Sequence, residues 1–273
     1  MPSPDEPHLS AEVRAVTALT PSLRRVRFGG PDLAGFATSG DPDERLLIDF
    51  GDGHRRSYTV RAWHPHEQTV DVDFAVHAGG AAAEWARAAT PGSPVRLSQP
   101  KGWFRPPADA RTLLLFADLT GLPAAGRIVE SLPAGTAAHV VAEVPGAADE
   151  QRWSATADVT VTWLHGTGNG STPSALPDAL AARTRNERPD YLWFGGETGA
   201  SRTIRTHLRR ALGWPADRYH VMGYWQAGRE RWLARYAEIE TQIEELTMRE
   251  LASGKSLDEV RDAVDDALTR AGL

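Results

Sequence analysis

Cysteine is absent from this 273-residue chain. That excludes structural disulfides, thiolate metal sites, Cys-ligated iron–sulfur clusters and dithiol redox chemistry. A redox role in such a chain needs a bound cofactor. Basic excess is missing too: 30 Lys and Arg against 36 Asp and Glu leave a formal net charge of -6, which argues against general nucleic-acid binding. No window approaches the ~20 apolar residues of a membrane helix, so no membrane partner is expected. The first residues, "MPSPDEPHLS", are acidic and proline-rich without the apolar stretch of a signal peptide, and the expected location is the cytoplasm. His64 and His66 flank Pro65 with no third ligand at metal spacing, so no protein-held metal is expected.

From Ala11 to about Ser98 the sequence shows short alternating runs, among them "LRRVRF", "RLLIDF", "SYTVRAW" and "TVDVDFAVH", separated by turn clusters such as "GDGH" and "TPGSP". Period-two alternation with such turns predicts an antiparallel meander or barrel. The Ala-rich stretch Ala81 to Ala89, just after Gly79 and Gly80, reads as a short helix. Past Pro106 and Pro107 the period changes. Continuous apolar runs ("TLLLFA", "HVVAEV", "VTVTWLH", "YLWFGG", "YHVMGYW") alternate with helical segments at Leu122 to Leu132 and Thr198 to Leu212, which predicts a parallel sheet covered on both faces. From Arg229 on there are 11 acidic and 7 basic residues, with Trp232, Tyr236, Ile239, Ile243 and Leu246 on one helical face. Gly254 breaks that helix, and "SLDE" from Ser256 matches a capping box opening a second. The expected fold class is β plus α/β: an N-terminal antiparallel β-barrel over 1–107, a parallel-sheet α/β unit over 108–228, and a C-terminal helical hairpin over 229–273 that packs on the body or on a second subunit in a dimer.

A barrel followed by a parallel α/β unit is a common way to hold two nucleotides with their reactive rings meeting at the domain cleft. In that setting "RRSYTVRAW" gains a meaning beyond a surface strand with a cross-strand Tyr. The Arg56 guanidinium suits a pyrophosphate, Tyr58 a flat heterocycle, and the Thr59 hydroxyl a ring nitrogen. Arg55 reads as its solvated neighbour. "HAGGAAAEWA", His77 to Ala86, is either a plain tight turn or a glycine pair that offers backbone N–H groups to an anion. "FADLTGLPAAGR" places a turn and helix start after a buried strand, where Asp118 or Thr120 serves equally well as a helix cap. "HGTGNGST" reads as a mobile turn sooner than as a phosphate loop. Arg202, Arg205, Arg209 and Arg210 lie along one predicted helix, as solvated charges or as partners for a 2′-phosphate.

Four separated segments together resemble the siderophore-interacting protein family, FAD-binding ferric-siderophore reductases related to ferredoxin-NADP reductases. Arg56-Ser57-Tyr58-Thr59-Val60-Arg61 is similar to the family's Arg-x-Tyr-Thr-x-Arg flavin motif. Asp73-Phe74-Ala75-Val76-His77 and then Gly80 to Ala86 follow its Asp-Phe-x-x-His strand and its Gly-Pro-Ala-Ser-x-Trp-Ala phosphate segment. Asp118 to Ala124 follow its Asp-Glu-Thr-Ala-Leu-Pro-Ala turn, and Gly223 to Gly228 its Gly-Tyr-Trp-Arg-x-Gly ending. Ala81, Ala83, Leu119 and Gln226 depart from those patterns.

The resemblance implies FAD as cofactor, NADPH or NADH as electron donor and a ferric siderophore as substrate, with reduction loosening the hard-oxygen chelate and releasing Fe(II). It implies a cofactor site of Arg56, Ser57, Tyr58, Thr59, Asp73, Phe74, His77, Gly80, Ala82, Ala83, Trp85, Asp118, Thr120, Glu197, Tyr224 and Trp225. Lys101, Arg105 and Arg229 are candidates for a basic mouth facing the anionic chelate. A general ferric-chelate reductase and a flavin binder of the same fold without nicotinamide-dependent turnover remain the alternatives.

Overall fold

A computed structural model describes residues 6–51, 53–76 and 80–273. The first seven strands are β1 (Leu9–Thr20), β2 (Leu23–Gly29), β3 (Arg45–Asp49), β4 (Arg55–Thr59), β5 (Ala62–His64), β6 (Thr69–Ala75) and β7 (Pro94–Leu97). They form one antiparallel sheet in the order β4-β3-β7-β1-β2-β6-β5. Its two outermost strands, β4 and β5, are separated only by Val60 and Arg61. Three peptide steps span about 11 Å at most, so the sheet has to curl until its edges meet. The connector makes the closure: Val60 N donates to Glu44 O at 3.0 Å before β3, and Arg61 N to Asp71 O at 2.8 Å on β6. "SYTVRAW", one run in the sequence, is therefore two strands at opposite ends of the sheet order. Inside the barrel, Val26, Phe28, Leu46, Ile48, Val72 and Phe74 are fully buried. Helix α1 (Ala81–Ala88) lies between β6 and β7.

The second sheet is parallel, with β8 (Thr112–Ala117), β9 (Ala137–Val144), β10 (Asp158–His165), β11 (Tyr191–Glu197) and β12 (Tyr219–Trp225) in the order β10-β9-β8-β11-β12. Its central strands β8 and β11 are apolar and buried because both faces are covered, while the edge strand β10 is partly exposed. Leu113 and Leu115 of β8 face α2 (Leu122–Ser131) through Leu122, Ala125 and Ile128. Leu114 and Phe116 face α3 (Leu176–Thr184) and α4 (Thr198–Thr206) through Leu180 and Ile204. Helix α3 has no counterpart in the sequence reading: Pro177 and a weak apolar stripe hide it. Strand order reverses between the parallel neighbours β8 and β11, the switch point where such sheets bind ligands beyond their carboxyl ends.

The two sheets are pinned together by polar contacts. Arg127 of α2 reaches Glu44 Oε1 at 3.2 Å and the Val60 carbonyl, and Arg61 reaches Glu130 of α2 at 2.7 Å. Asp149 accepts from Thr20 Oγ1 at 2.6 Å and from Ser22 N at 2.9 Å. The C-terminal tail is three helices, α5 (Arg229–Ala237), α6 (Glu240–Ala252) and α7 (Leu257–Arg270). The first half of the expected hairpin is thus broken near Ile239, while the Ser256 capping box at the start of α7 is present. No described helix is long and apolar enough to cross a membrane.

Candidate functional site

A cleft between barrel and second sheet is lined by Arg56, Ser57, Tyr58 and Thr59 of β4, Asp73 and Ala75 of β6, and Gly80 to Ala83 at the start of α1. Thr120 and Pro123 of the β8–α2 turn and Tyr224, Trp225, Gln226 and Arg229 at the end of the second sheet complete it. Residues far apart in sequence meet there because barrel closure carries β4 round to the second sheet.

The arginine pair divides. Arg55 is held by Asp49 at 3.1 Å and Glu6 at 2.6 Å. Arg56 is exposed, donates only to the Arg55 carbonyl at 2.7 Å among the described residues, and faces the cleft. Tyr58 leans on Phe74 with ring centroids 4.3 Å apart, and burial pushes its hydroxyl pKa upward. Thr59 Oγ1 is buried beside the Tyr224 hydroxyl but makes no hydrogen bond of proper geometry among the described residues. Gly80 has φ 94°, open to glycine at little cost. It turns the chain into α1 so that the first helical bond is Glu84 N to Gly80 O at 3.1 Å, and the amides of Ala81, Ala82 and Ala83 have no acceptor within the helix. Those N–H groups and the helix dipole favour an anion at the cleft.

Several candidates lie elsewhere. Phe74 is fully buried in the barrel core, and Trp85 packs 4.7 Å from Phe50 there, so both support the cleft from behind. Asp73 touches the cleft, but Arg25 grips its carboxylate at 2.7 and 2.9 Å. Lys101 and Arg105 do not line the cleft: Lys101 pairs by backbone with Arg45, and Arg105 with Asp41 in a bidentate bridge. Of the three expected mouth residues only Arg229 lines it. His77 lies outside the described residues.

A second, shallower crevice follows the carboxyl edge of the parallel sheet, lined by Asp118, Glu143, Gly168 to Ser174, Glu197, Trp225 and Ala227. Asp118 Oδ1 accepts Thr120 N at 2.8 Å, Thr120 Oγ1 at 2.6 Å and Gly121 N at 3.2 Å. Burial holds its pKa above the usual carboxylate range against those donors. Gly121 has to be glycine, since a Cβ there would fall on the Gly195 carbonyl oxygen. Glu143 is buried and accepts Ser174 Oγ at 2.9 Å and Ala175 N at 2.6 Å, while Glu197 caps α4 through Ala200 N at 2.9 Å. The glycine-rich turn of "HGTGNGST" is thus a wall of this crevice. Three of the four arginines along α4 and the turn after it are occupied: Arg205 by Asp265 at 2.6 Å, Arg209 by Asp262 at 2.9 Å and Arg210 by Asp266 at 2.6 Å, all on α7, whereas Arg202 forms no ion pair among the described residues. In this structure the acidic tail packs on that basic face, which leaves those three guanidinium groups engaged by carboxylates.

Residues 51–104 match a siderophore-interacting FAD-binding domain and residues 110–228 the siderophore-interacting protein profile, together more than half the chain. The chain belongs to the siderophore-interacting protein family. A siderophore utilization protein from T. fusca superposes with TM-score 0.70 at 29% identity, over 82% of this chain and 95% of that one. The ferric vibriobactin reductase ViuB of Vibrio cholerae is 28% identical over 64% of this chain and 65% of its own length. The mycobactin import ATP-binding/permease protein IrtA of Mycolicibacterium smegmatis is 28% identical over 80% of this chain, which spans only 26% of that protein. Ferredoxin-NADP+ reductase from Plasmodium falciparum shares the fold alone, with TM-score 0.62 at 13% identity over 79% of this chain and 96% of that one. Barrel, parallel sheet and helical tail are therefore a ferredoxin-reductase-like fold.

The lining residues fit FAD. Amides at the start of α1 with no acceptor within the helix and the Arg56 guanidinium suit its phosphates, aromatic rings of Tyr58, Tyr224 and Trp225 suit its flat ring system, and the Thr59 hydroxyl, unpaired among the described residues, suits a ring heteroatom.

Proposed function

We propose that this protein is a FAD-dependent ferric-siderophore reductase of the cytoplasm, taking electrons from a nicotinamide nucleotide. One observation supports the reading above others: a single cleft joins Arg56 to Thr59 of the barrel, the α1 amides and the Tyr224–Trp225 ending of the second sheet. When bound, FAD takes up two electrons together and releases them singly, a task no side chain here performs.

The chain's own residues bind and orient. Arg56 and the amides of Ala81 to Ala83 neutralise the diphosphate. Tyr58, packed on Phe74, has little freedom to move and presents a fixed wall. Tyr224 and Trp225 close the side toward the parallel sheet, and Trp225 also walls the crevice where a nicotinamide nucleotide would approach the switch point. Arg229 supplies positive charge for an anionic iron chelate. NADH is the better matched donor, because Arg205, Arg209 and Arg210 are engaged by α7 carboxylates, which leaves Arg202 alone of the four to meet a 2′-phosphate. The mouth's poverty in cations, with Lys101 and Arg105 turned elsewhere, favours a second reading in which several ferric chelates are reduced at similar rates.

Anaerobic titration of the flavin-loaded protein with NADH and NADPH, followed by addition of ferric chelates of differing charge, tests both. Flavin bleaching by NADH and chelate-dependent reoxidation are expected. A flavin that neither nucleotide bleaches rejects the reductase reading.

A further inference from the structure

Arg45, the first residue of β3, is absent from the sequence-based candidates, since "RLLIDF" reads as an ordinary strand. Its register partner on β4 is Thr59, whose unpaired hydroxyl lines the cleft. Directly opposite residues of an antiparallel pair share a face, so Arg45 is a neighbour of the cleft wall. Its Cζ lies 4.2 Å from the centroid of the Tyr224 ring, which is itself part of that wall. Its Nε is buried with no hydrogen-bond partner, and its Nη1 donates to the sulfur of Met222 at 2.8 Å. No carboxylate among the described residues forms an ion pair with it. Asp43, the acid that acts on it from a distance, is engaged by Trp103 N at 2.8 Å, Phe104 N at 2.9 Å and Trp193 Nε1 at 3.3 Å.

A largely buried cation without an ion-pair partner is costly. Charged groups in such surroundings cluster at functional sites, and a nearby site that acquires negative charge would offset the cost. We propose, resting on the flavin reading above, that Arg45 is a positioning residue whose charge, acting through the Tyr224 ring, favours the anionic reduced state of the cofactor over the neutral oxidised state. The charge balance is simple. A hydride from the nicotinamide nucleotide delivers two electrons and one proton, so the reduced ring carries one negative charge, and the guanidinium supplies the counter-charge without donating a proton.

The test is equilibrium binding of oxidised and of reduced FAD to the full-length apo-protein under anaerobic conditions. Arg45→Met is expected to bind oxidised FAD as the wild type does and reduced FAD about tenfold more weakly, a midpoint potential ~30 mV more negative for a two-electron couple. Arg45→Lys keeps the charge and should keep most of the preference for reduced FAD. Should the Met variant fail to fold, Arg45→Gln carries the same expectation. Equal weakening of both redox states, or a neutral variant with the wild-type ratio, overturns the proposal and leaves the flavin reading standing. A wild-type chain that takes up no FAD overturns the flavin reading and this inference with it.

Discussion

The Trp225 indole Nε1 donates to Asp118 Oδ2 at 2.6 Å. The last residue of β12 is thereby tied to the first turn after β8, 107 positions away, and the ring stands between the cleft and the crevice at the sheet edge. Trp225→Phe leaves the ring but removes a donor from a buried carboxylate, an expected loss of about 1–3 kcal/mol that urea unfolding will read. Trp225→Ala also joins the two cavities, and the rate of flavin bleaching by NADH in stopped flow should rise. An unchanged rate would show that the indole is no barrier to the nucleotide.

Arg56→Ala is expected to purify folded and poor in FAD. The side chain is exposed and, among the described residues, makes only a local bond to the Arg55 carbonyl, so thermal unfolding of the apo-protein should match the wild type. A lost charge-assisted contact of about 1.5–3 kcal/mol corresponds to roughly 10- to 100-fold in FAD affinity. A full flavin complement in that variant rejects the assignment. Arg55→Ala, which removes surface pairs with Asp49 and Glu6, should bind FAD normally.

Asp190 ties the start of β8 to the start of β11, accepting Arg111 N at 2.8 Å and Thr112 N and Oγ1 at 2.9 Å each. Those hydrogen bonds hold its pKa below the usual carboxylate value. A depressed folded pKa gives stability that is complete above the unfolded value, about 4, and is lost as pH falls through the folded value. Asp190→Asn should therefore be less stable than wild type at pH 7, with the gap closing on acidification. A gap that stays constant from pH 7 to pH 3 would reject the linkage.

The three Arg–Asp pairs that α4 and the turn after it make with α7 should contribute unequally. Arg205 and Asp265 are only 12% and 15% exposed, Arg210 and Asp266 50% and 37%. Exposed pairs contribute at most about 1 kcal/mol and less in salt. Asp265→Asn is expected to lower hydrogen-exchange protection of α7 clearly and Asp266→Asn barely. Equal effects would mean that burial does not govern this docking surface.

Much of the fold was legible because period-two alternation and continuous apolar strands are direct consequences of one-sided and two-sided burial. Helix α3 escaped because its apolar positions, Leu176 and Leu180, are too few to set a period. The site was legible only in pieces. Arg56 to Thr59 and Gly80 carry local signals, an arginine at a strand end and a glycine before a helix, whereas Arg45 carries none, since its meaning comes from Tyr224 lying across it. The basic helix face was visible as charge, but nothing local foretold that carboxylates 53 to 60 positions on would pair with three of its arginines.

Taken by itself, the sequence determined the two kinds of sheet, the absence of thiol chemistry and the residues able to hold an anion and a flat ring, because each depends on side-chain type and near-neighbour spacing. Tertiary structure alone decided that "RRSYTVRAW" is two strands, that Arg56 faces the cleft while Arg55 is paired away, and that Phe74 and Trp85 stand behind the site. The physical reason is closure. Two residues join the outermost strands, and the curl this forces on the sheet chooses which side chains meet the second domain.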